Sequence, residues 1–129
     1  MNKSDILNAF NTHIIEFFED IILIFPENTD IQLAKTSLLA MRKVNPKLIV
    51  RIWKEYIYDK YSDEIAKGDL NFFIEKDYID DLKYTSNTST ILEKIATLRQ
   101  PVKEMSADNL EKSTKYVQNL SKLSNLYYS

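Results

Sequence analysis

Residues 45–58 read NPKLIVRIWKEYIY, and they form the most regular amphipathic segment of the 129-residue chain. Asn45 can cap a helix there, and Pro46 then falls in the first turn, where a missing N–H costs nothing. The apolar face of this helix holds Leu48, Ile49, Ile52, Trp53 and Tyr56. The opposite face holds Lys47, Arg51, Lys54 and Tyr58. The segment therefore predicts a helix that packs one side on a core and presents the other to solvent.

A first helix is predicted from Ser4, its cap, to Phe25, where Pro26 stops it. Its apolar side chains fall within about 120° of arc. They are Ile6, Phe10, Ile14, Phe17, Phe18, Ile21, Ile24 and Phe25. A second helix follows the cap candidates Asn28, Thr29 and Asp30, with Ile31, Ala34, Leu38 and Met41 on one side. Both helices are expected to face the same core.

The composition favours an all-α protein with a compact multi-helix core. Gly68 is the only glycine, and β-hairpins and phosphate-binding loops usually depend on glycine. Gly68 is predicted to end a helix, after which Asp69 can cap the next one. The absence of cysteine excludes disulfides and fits a reducing, cytoplasmic compartment. The longest apolar run has five residues, against about 20 for a membrane span, so no span is predicted.

A change in the residue pattern near position 84 predicts two structural units, residues 1–84 and residues 85–129. Residues 84–90, YTSNTST, are polar turn formers and are predicted to be a boundary or hinge. Apolar residues then repeat with a 3.5-residue period at Ile91, Ile95, Leu98, Val102 and Met105. The period continues across Pro101, which predicts one helix kinked near that proline. Ser106 then caps a final helix. Residues 85–129 are therefore predicted to form a C-terminal helical hairpin.

This hairpin presents the candidate surface for a protein partner or for self-association. The candidate contact residues are Ile91, Ile95, Leu98, Val102, Met105, Tyr116, Leu120, Leu123 and Tyr127. A hairpin that folds back on residues 1–84 would bury the same side chains, and the two alternatives stay open at this point.

No residue pattern predicts catalysis, a cofactor, a metal site or a small-molecule substrate. His13, the only histidine, lies at the edge of an apolar helix face without identifiable catalytic partners. Eight acids lack the alternation and central glycine of an EF-hand loop, so they are predicted to be solvated surface. They are Asp59, Asp63, Glu64, Asp69, Glu75, Asp77, Asp80 and Asp81.

The charges are segmented, although the net charge is only -2. Residues 1–30 hold one lysine against six acids, and residues 31–58 hold six bases against one acid. The candidate site in the basic segment consists of Arg42, Lys43, Lys47, Arg51 and Lys54. Such a face could contact nucleic-acid phosphates, but it could equally meet the acidic surface of a protein, including a second copy.

Three stretches resemble a group of small, uncharacterised helical proteins encoded by large DNA viruses of algae and protists. They are NPKLIVRIWKEYI at 45–57, GDLNFFIEKDY at 68–78 and KYVQNLSKLSNLY at 115–127. The resemblance implies a place in the host cytoplasm or in the virion, and it brings no catalytic motif.

The leading hypothesis is a non-enzymatic structural or interaction protein that acts as a scaffold or adaptor. The alternative is a nucleic-acid-binding accessory protein that uses the basic face of the third helix.

Overall fold

A computed structural model of the chain describes residues 2–75 and 86–129. Regular secondary structure in those residues is entirely helical, which confirms the all-α class. The α-helices are α1 (Lys3–Ile24), α2 (Thr29–Val44), α3 (Leu48–Trp53), α4 (Asp59–Ala66), α5 (Asn71–Glu75), α6 (Ser86–Ala96), α7 (Arg99–Glu104) and α8 (Ala107–Tyr127), with a π-helix, Lys54–Tyr58, between α3 and α4. The predicted boundary between residues 84 and 85 and the acids Asp77, Asp80 and Asp81 lie outside the described residues.

Side-chain caps define the starts of the long helices. Asn28 accepts from the Ile31 N–H at 3.2 Å and Ser106 from the Asn109 N–H at 3.4 Å, which confirms both predicted caps. The start of α1 was predicted wrongly, because Asn2 rather than Ser4 is the cap. Asn2 is preferred because it forms a reciprocal capping box with Asp5.

Gly68 ends α4, as predicted. Its φ of +75° lies in the left-handed region that favours glycine. The Gly68 N–H donates to the Ile65 carbonyl at 3.0 Å, and the Asp69 N–H donates to the Glu64 carbonyl at 2.9 Å. This pair of bonds is the Schellman arrangement that satisfies the last carbonyls of a helix.

The third predicted helix begins at Leu48, with Lys47 rather than Asn45 in the cap position, and it continues beyond Tyr58 with a change of winding. The π-helix lies after Trp53, and the wider i→i+5 turn rotates the following residues relative to an ideal α-helix. Ile57 is consequently buried in the core, whereas Tyr56 and Tyr58 are both half-buried.

One hydrophobic cluster joins residues from both sides of the predicted boundary. It contains Phe10 from α1, Trp53 from α3, Ile95 from α6 and Leu120 from α8, all fully buried. Helix α1 packs against α2 and α8, α6 packs against α2 and α3, and α8 also packs against the π-helix and α4. The described parts of both predicted units therefore share one core.

The helix that was predicted to kink near Pro101 is divided into α6 and α7. The break falls earlier, at Thr97 and Leu98, and Pro101 is the third residue of α7. Proline is tolerated there because the first N–H groups of a helix have no intrahelical partner. Residues 86–90 were predicted as a hinge but belong to α6, and Thr88 is buried.

Candidate functional site

The five predicted basic residues lie around the α2–α3 turn and along the helix that follows. Lys43, Lys47 and Arg51 are exposed, whereas Arg42 is half-buried. The Lys54 ammonium is paired with Asp59, and it also lies 5.4 Å from the centre of the Tyr58 ring. Three of the five cations are thus freely presented to solvent.

Arg51 also faces the C-terminal end of the chain. Burial and the neighbouring Tyr127 raise the pKa of Tyr128, and the positive charge of Arg51 opposes that shift. The outer side of α3 is therefore close to the end of α8, and its basic face is bordered by tyrosine rings.

The predicted contact stripe at the start of the C-terminal segment is inside the protein. Ile91, Ile95, Leu98 and Val102 are buried in the common core, and Met105 is partly buried against it. Helix α6, which carries Ile91 and Ile95, packs against α2 and α3, and helix α7, which carries Val102, packs against α5. The fold-back arrangement that the sequence left open is the one observed.

The candidates on α8 divide into one core residue and three surface-lining ones. Leu120 is fully buried, whereas Tyr116, Leu123 and Tyr127 are half-buried. A hydrogen bond joins the end of α8 to the start of α1, because Lys3 Nζ donates to the Tyr127 carbonyl oxygen at 2.7 Å. Tyr116 and Leu123 lie at the seam between α8 and α1.

A groove of about 620 Å³ runs along this seam and is here called the α1–α8 groove. One wall is α1 and the other is the last third of α8. The lining residues are Asn8, Ala9, Thr12, His13 and Glu16 from α1, and Asn119, Lys122, Leu123 and Leu126 from α8. Leu126 is 52% exposed, so a large apolar side chain stands open at one end of the groove.

Aromatic rings stack between α1 and α8 next to the groove. The Tyr116 ring stacks on Phe17 with centroids 4.9 Å apart, and His13 lies against the same ring at 4.6 Å. The Tyr116 hydroxyl donates to the Asp20 carboxylate. His13, which the sequence placed at the edge of the apolar face of α1, therefore packs against the Tyr116 ring of α8.

The protonation states of this cluster are set by burial and by the acids on α1. Burial lowers the pKa of His13, although the negative charges of Glu16 and Asp20 oppose the shift. Burial first, and then the hydrogen bond and charge of Asp20, raise the pKa of Tyr116 above its ordinary value. At neutral pH both rings are therefore uncharged.

The Nε2 atom of His13 is buried, and no group among the described residues hydrogen-bonds to it. The sequence could single out His13 but not the groove, because α1 and α8 are about 100 residues apart in the chain.

Within residues 2–75 and 86–129, no three histidine or acidic side chains come together as a metal site would require. No helix of that part of the chain is both long and apolar enough to cross a membrane.

Comparisons of the chain with protein-family models, with curated proteins and with solved structures find no match.

Proposed function

We propose that this chain is a non-enzymatic interaction protein, a scaffold or adaptor, and that its α1–α8 groove receives a short helix of a partner protein. The observation that carries the proposal is the open, partly apolar seam between two long antiparallel helices. A groove between two helices is a natural seat for the side-chain ridge of a third.

The dimensions of the groove suit a short helix. Its α1 wall extends from Asn8 to Glu16, about 12 Å at 1.5 Å per residue. That length corresponds to two or three turns of a bound helix. Leu126, Leu123 and Ala9 supply apolar contact along this distance, and apolar anchors near the centre of a contact contribute most of its affinity.

The charges on the two walls of the groove favour one orientation of a bound helix. Glu16 lies on the α1 wall and Lys122 on the α8 wall, so the two sides of a bound helix meet opposite charges. Charge complementarity of this kind selects orientation and partner more than it adds affinity.

A photo-crosslinking amino acid placed at Asn119 tests this proposal in cells that make the protein. Glu111 is the matched control position, because it is exposed on the same helix and outside the groove. We expect one partner adduct at position 119, none at position 111, and loss of the adduct when Leu126→Glu is added. The same adducts at both positions, or an adduct at 119 that persists with Leu126→Glu, would exclude the groove as the binding site.

The resemblance to viral helical proteins supports a setting in the host cytoplasm or the virion. A separate C-terminal unit at residues 85–129 stays a prediction, and the common core is the observation that weighs against its independence.

The alternative function is nucleic-acid binding at the α2–α3 turn. The exposure of Lys43, Lys47 and Arg51 supports it, while the pairing of Lys54 with Asp59 reduces the free charge of that face. Phosphate contacts of this kind weaken steeply with salt. Binding to DNA or RNA that falls with salt and is lost in a Lys47→Glu, Arg51→Glu variant would favour this alternative.

A further inference from the structure

The outer face of α2 carries two of the most exposed apolar side chains in the described part of the chain. Leu33 is 63% exposed and Val44 is 87% exposed. Ser37 and Ala40, both small, lie between them. The spacings of four, three and four residues align the four side chains in one stripe, here called the α2 stripe. Exposed large apolar side chains that share one helix face, with only small residues between them, can form an interaction site.

The α2 stripe is symmetric about its own centre. Its large residues lie at the two ends, and its small residues lie on either side of the midpoint between positions 38 and 39. If two copies of α2 lie antiparallel, Leu33 of each copy faces Val44 of the other, and Ser37 faces Ala40. Twofold symmetry requires this kind of reciprocal contact.

A hollow at one end of the stripe fits the exposed leucine at the other. It measures about 540 Å³ and is lined by Ala40, Met41, Val44, Asn45 and Leu48. Antiparallel pairing brings Leu33 of the second copy to Val44, at the mouth of this hollow. The small side chains of Ser37 and Ala40 allow the two helix backbones to approach closely at the centre.

The charges at the two ends of α2 are also complementary. Glu27 and Asp30 are exposed at its start, and Lys43 and Lys47 are exposed at or just beyond its end. An antiparallel arrangement places the acidic end of each copy beside the basic end of the other. It also aligns the two helix dipoles favourably.

We propose that the α2 stripe binds a second copy of this chain in an antiparallel, twofold-symmetric dimer. This inference goes beyond the proposed function, because it uses a different face from the α1–α8 groove. A single helix face about 24 Å long buries less area than the ~1,200 Å² of a stable interface. The dimer is therefore weak and forms at high local concentration, as in an assembly.

Sedimentation of the full chain between about 10 µM and about 1 mM tests for this dimer. The average mass rises towards twice 15.2 kDa over this range, and Leu33→Glu or Val44→Glu keeps it at the monomer value. Leu23→Glu is the matched control, because Leu23 is 79% exposed on α1 and lies outside the stripe. A mass that stays monomeric throughout, or that Leu23→Glu lowers as much as Leu33→Glu does, overturns the proposal.

Variants that reverse charges at the two ends of α2 test the dimer separately from the variants that alter its apolar side chains. Lys47→Glu weakens the dimer, and adding Asp30→Lys restores it, since the reversed charges again face one another across the twofold axis. Failure of the double variant to regain association overturns the predicted pairing of the helix ends. Circular dichroism confirms the fold of each variant, whose altered side chains are all exposed.

Cysteine crosslinking determines the orientation, because the natural chain has no cysteine. In the antiparallel dimer, identical positions 33 are about 16 Å apart along the helix axis. A short bis-maleimide therefore joins a mixture of Leu33→Cys and Val44→Cys chains but joins neither variant alone. Crosslinking of a single variant by itself, or no crosslinking of the mixture, overturns the antiparallel arrangement.

Discussion

The indole Nε1 of Trp53 donates a hydrogen bond of 3.1 Å to the hydroxyl oxygen of Ser121, and both side chains are buried. The bond joins α3 to α8, which lie on opposite sides of the boundary predicted near residue 84. Ser124 Oγ in turn donates to the Ser121 carbonyl at 2.8 Å, so this buried polar site is continuous with the α8 backbone.

Replacing Ser121 by alanine removes the acceptor of the Trp53 N–H. A buried donor without a partner costs about 1–3 kcal/mol, so we expect a loss of that size in the free energy of unfolding. Urea denaturation measured by tryptophan fluorescence gives the value. Ser4→Ala, at an exposed position, is the control and should change it by less than about 0.5 kcal/mol. Equal effects of the two changes would show that the bond does not stabilise the fold.

A chain truncated after residue 84 is expected to lose cooperative unfolding. It lacks Ile91, Leu92, Ile95, Leu98 and Leu120, which the complete chain buries in the common core. Removing a large aliphatic side chain from a core costs about 2–5 kcal/mol, and the loss of several exceeds the stability of a small domain. Thermal unfolding followed by circular dichroism tests this expectation. A sharp transition in the truncated chain would instead establish residues 1–84 as a separate domain.

The stability of the protein should fall below about pH 6.5 in part because of His13. Burial lowers the pKa of this ring, so the unfolded chain binds the proton more readily than the folded chain. The His13 contribution is therefore complete above the ordinary histidine pKa and decreases as the pH falls through it. Denaturant unfolding at about pH 7.5 and about pH 5 should show a smaller change for His13→Gln than for the natural chain. Identical changes would remove His13 as a cause.

Replacing Gly68 by alanine should destabilise the protein by about 1–2 kcal/mol, because the residue has a φ of +75°. Steric crowding adds little, since a Cβ there would lie 3.5 Å from the Thr114 methyl group. The cost is thus one of backbone conformation. Ala66→Gly, at an exposed position in the preceding helical turn, serves as the comparison. Urea denaturation gives the free energy of unfolding of both variants. A neutral Gly68→Ala would contradict the importance of the left-handed turn.

Local features of the fold could be predicted because their causes are local. The caps Asn28 and Ser106 and the helix end at Gly68 depend on residues within one turn. Helical periodicity predicted most of the core faces of α1 and α2, but Ile24, which it placed in the core, is exposed. The π-helix after Trp53 could not be predicted, because no residue type in that segment demands a wider turn.

Tertiary relationships set the limit of prediction. The spacing of Ile91, Ile95 and Leu98 indicated a helix that packs on another helix, but not that the neighbours would be α2 and α3 of the same chain. The same spacing of Ile91, Ile95 and Leu98 was equally consistent with packing against a partner protein. The α1–α8 groove was invisible for the same reason, because Asn8 and Leu126 come together only in the folded chain.

The affinity of the partner recovered by crosslinking is measured for three forms of the purified protein, which are the natural chain, Leu126→Glu and Leu33→Glu. We predict that Leu126→Glu weakens binding at least ~10-fold, because it replaces an exposed apolar contact of the groove with a charge. Leu33→Glu, the same change on α2, should leave the affinity of the groove unaltered. Equal affinity of the partner for the natural chain and for Leu126→Glu would show that the protein does not bind it through the α1–α8 groove.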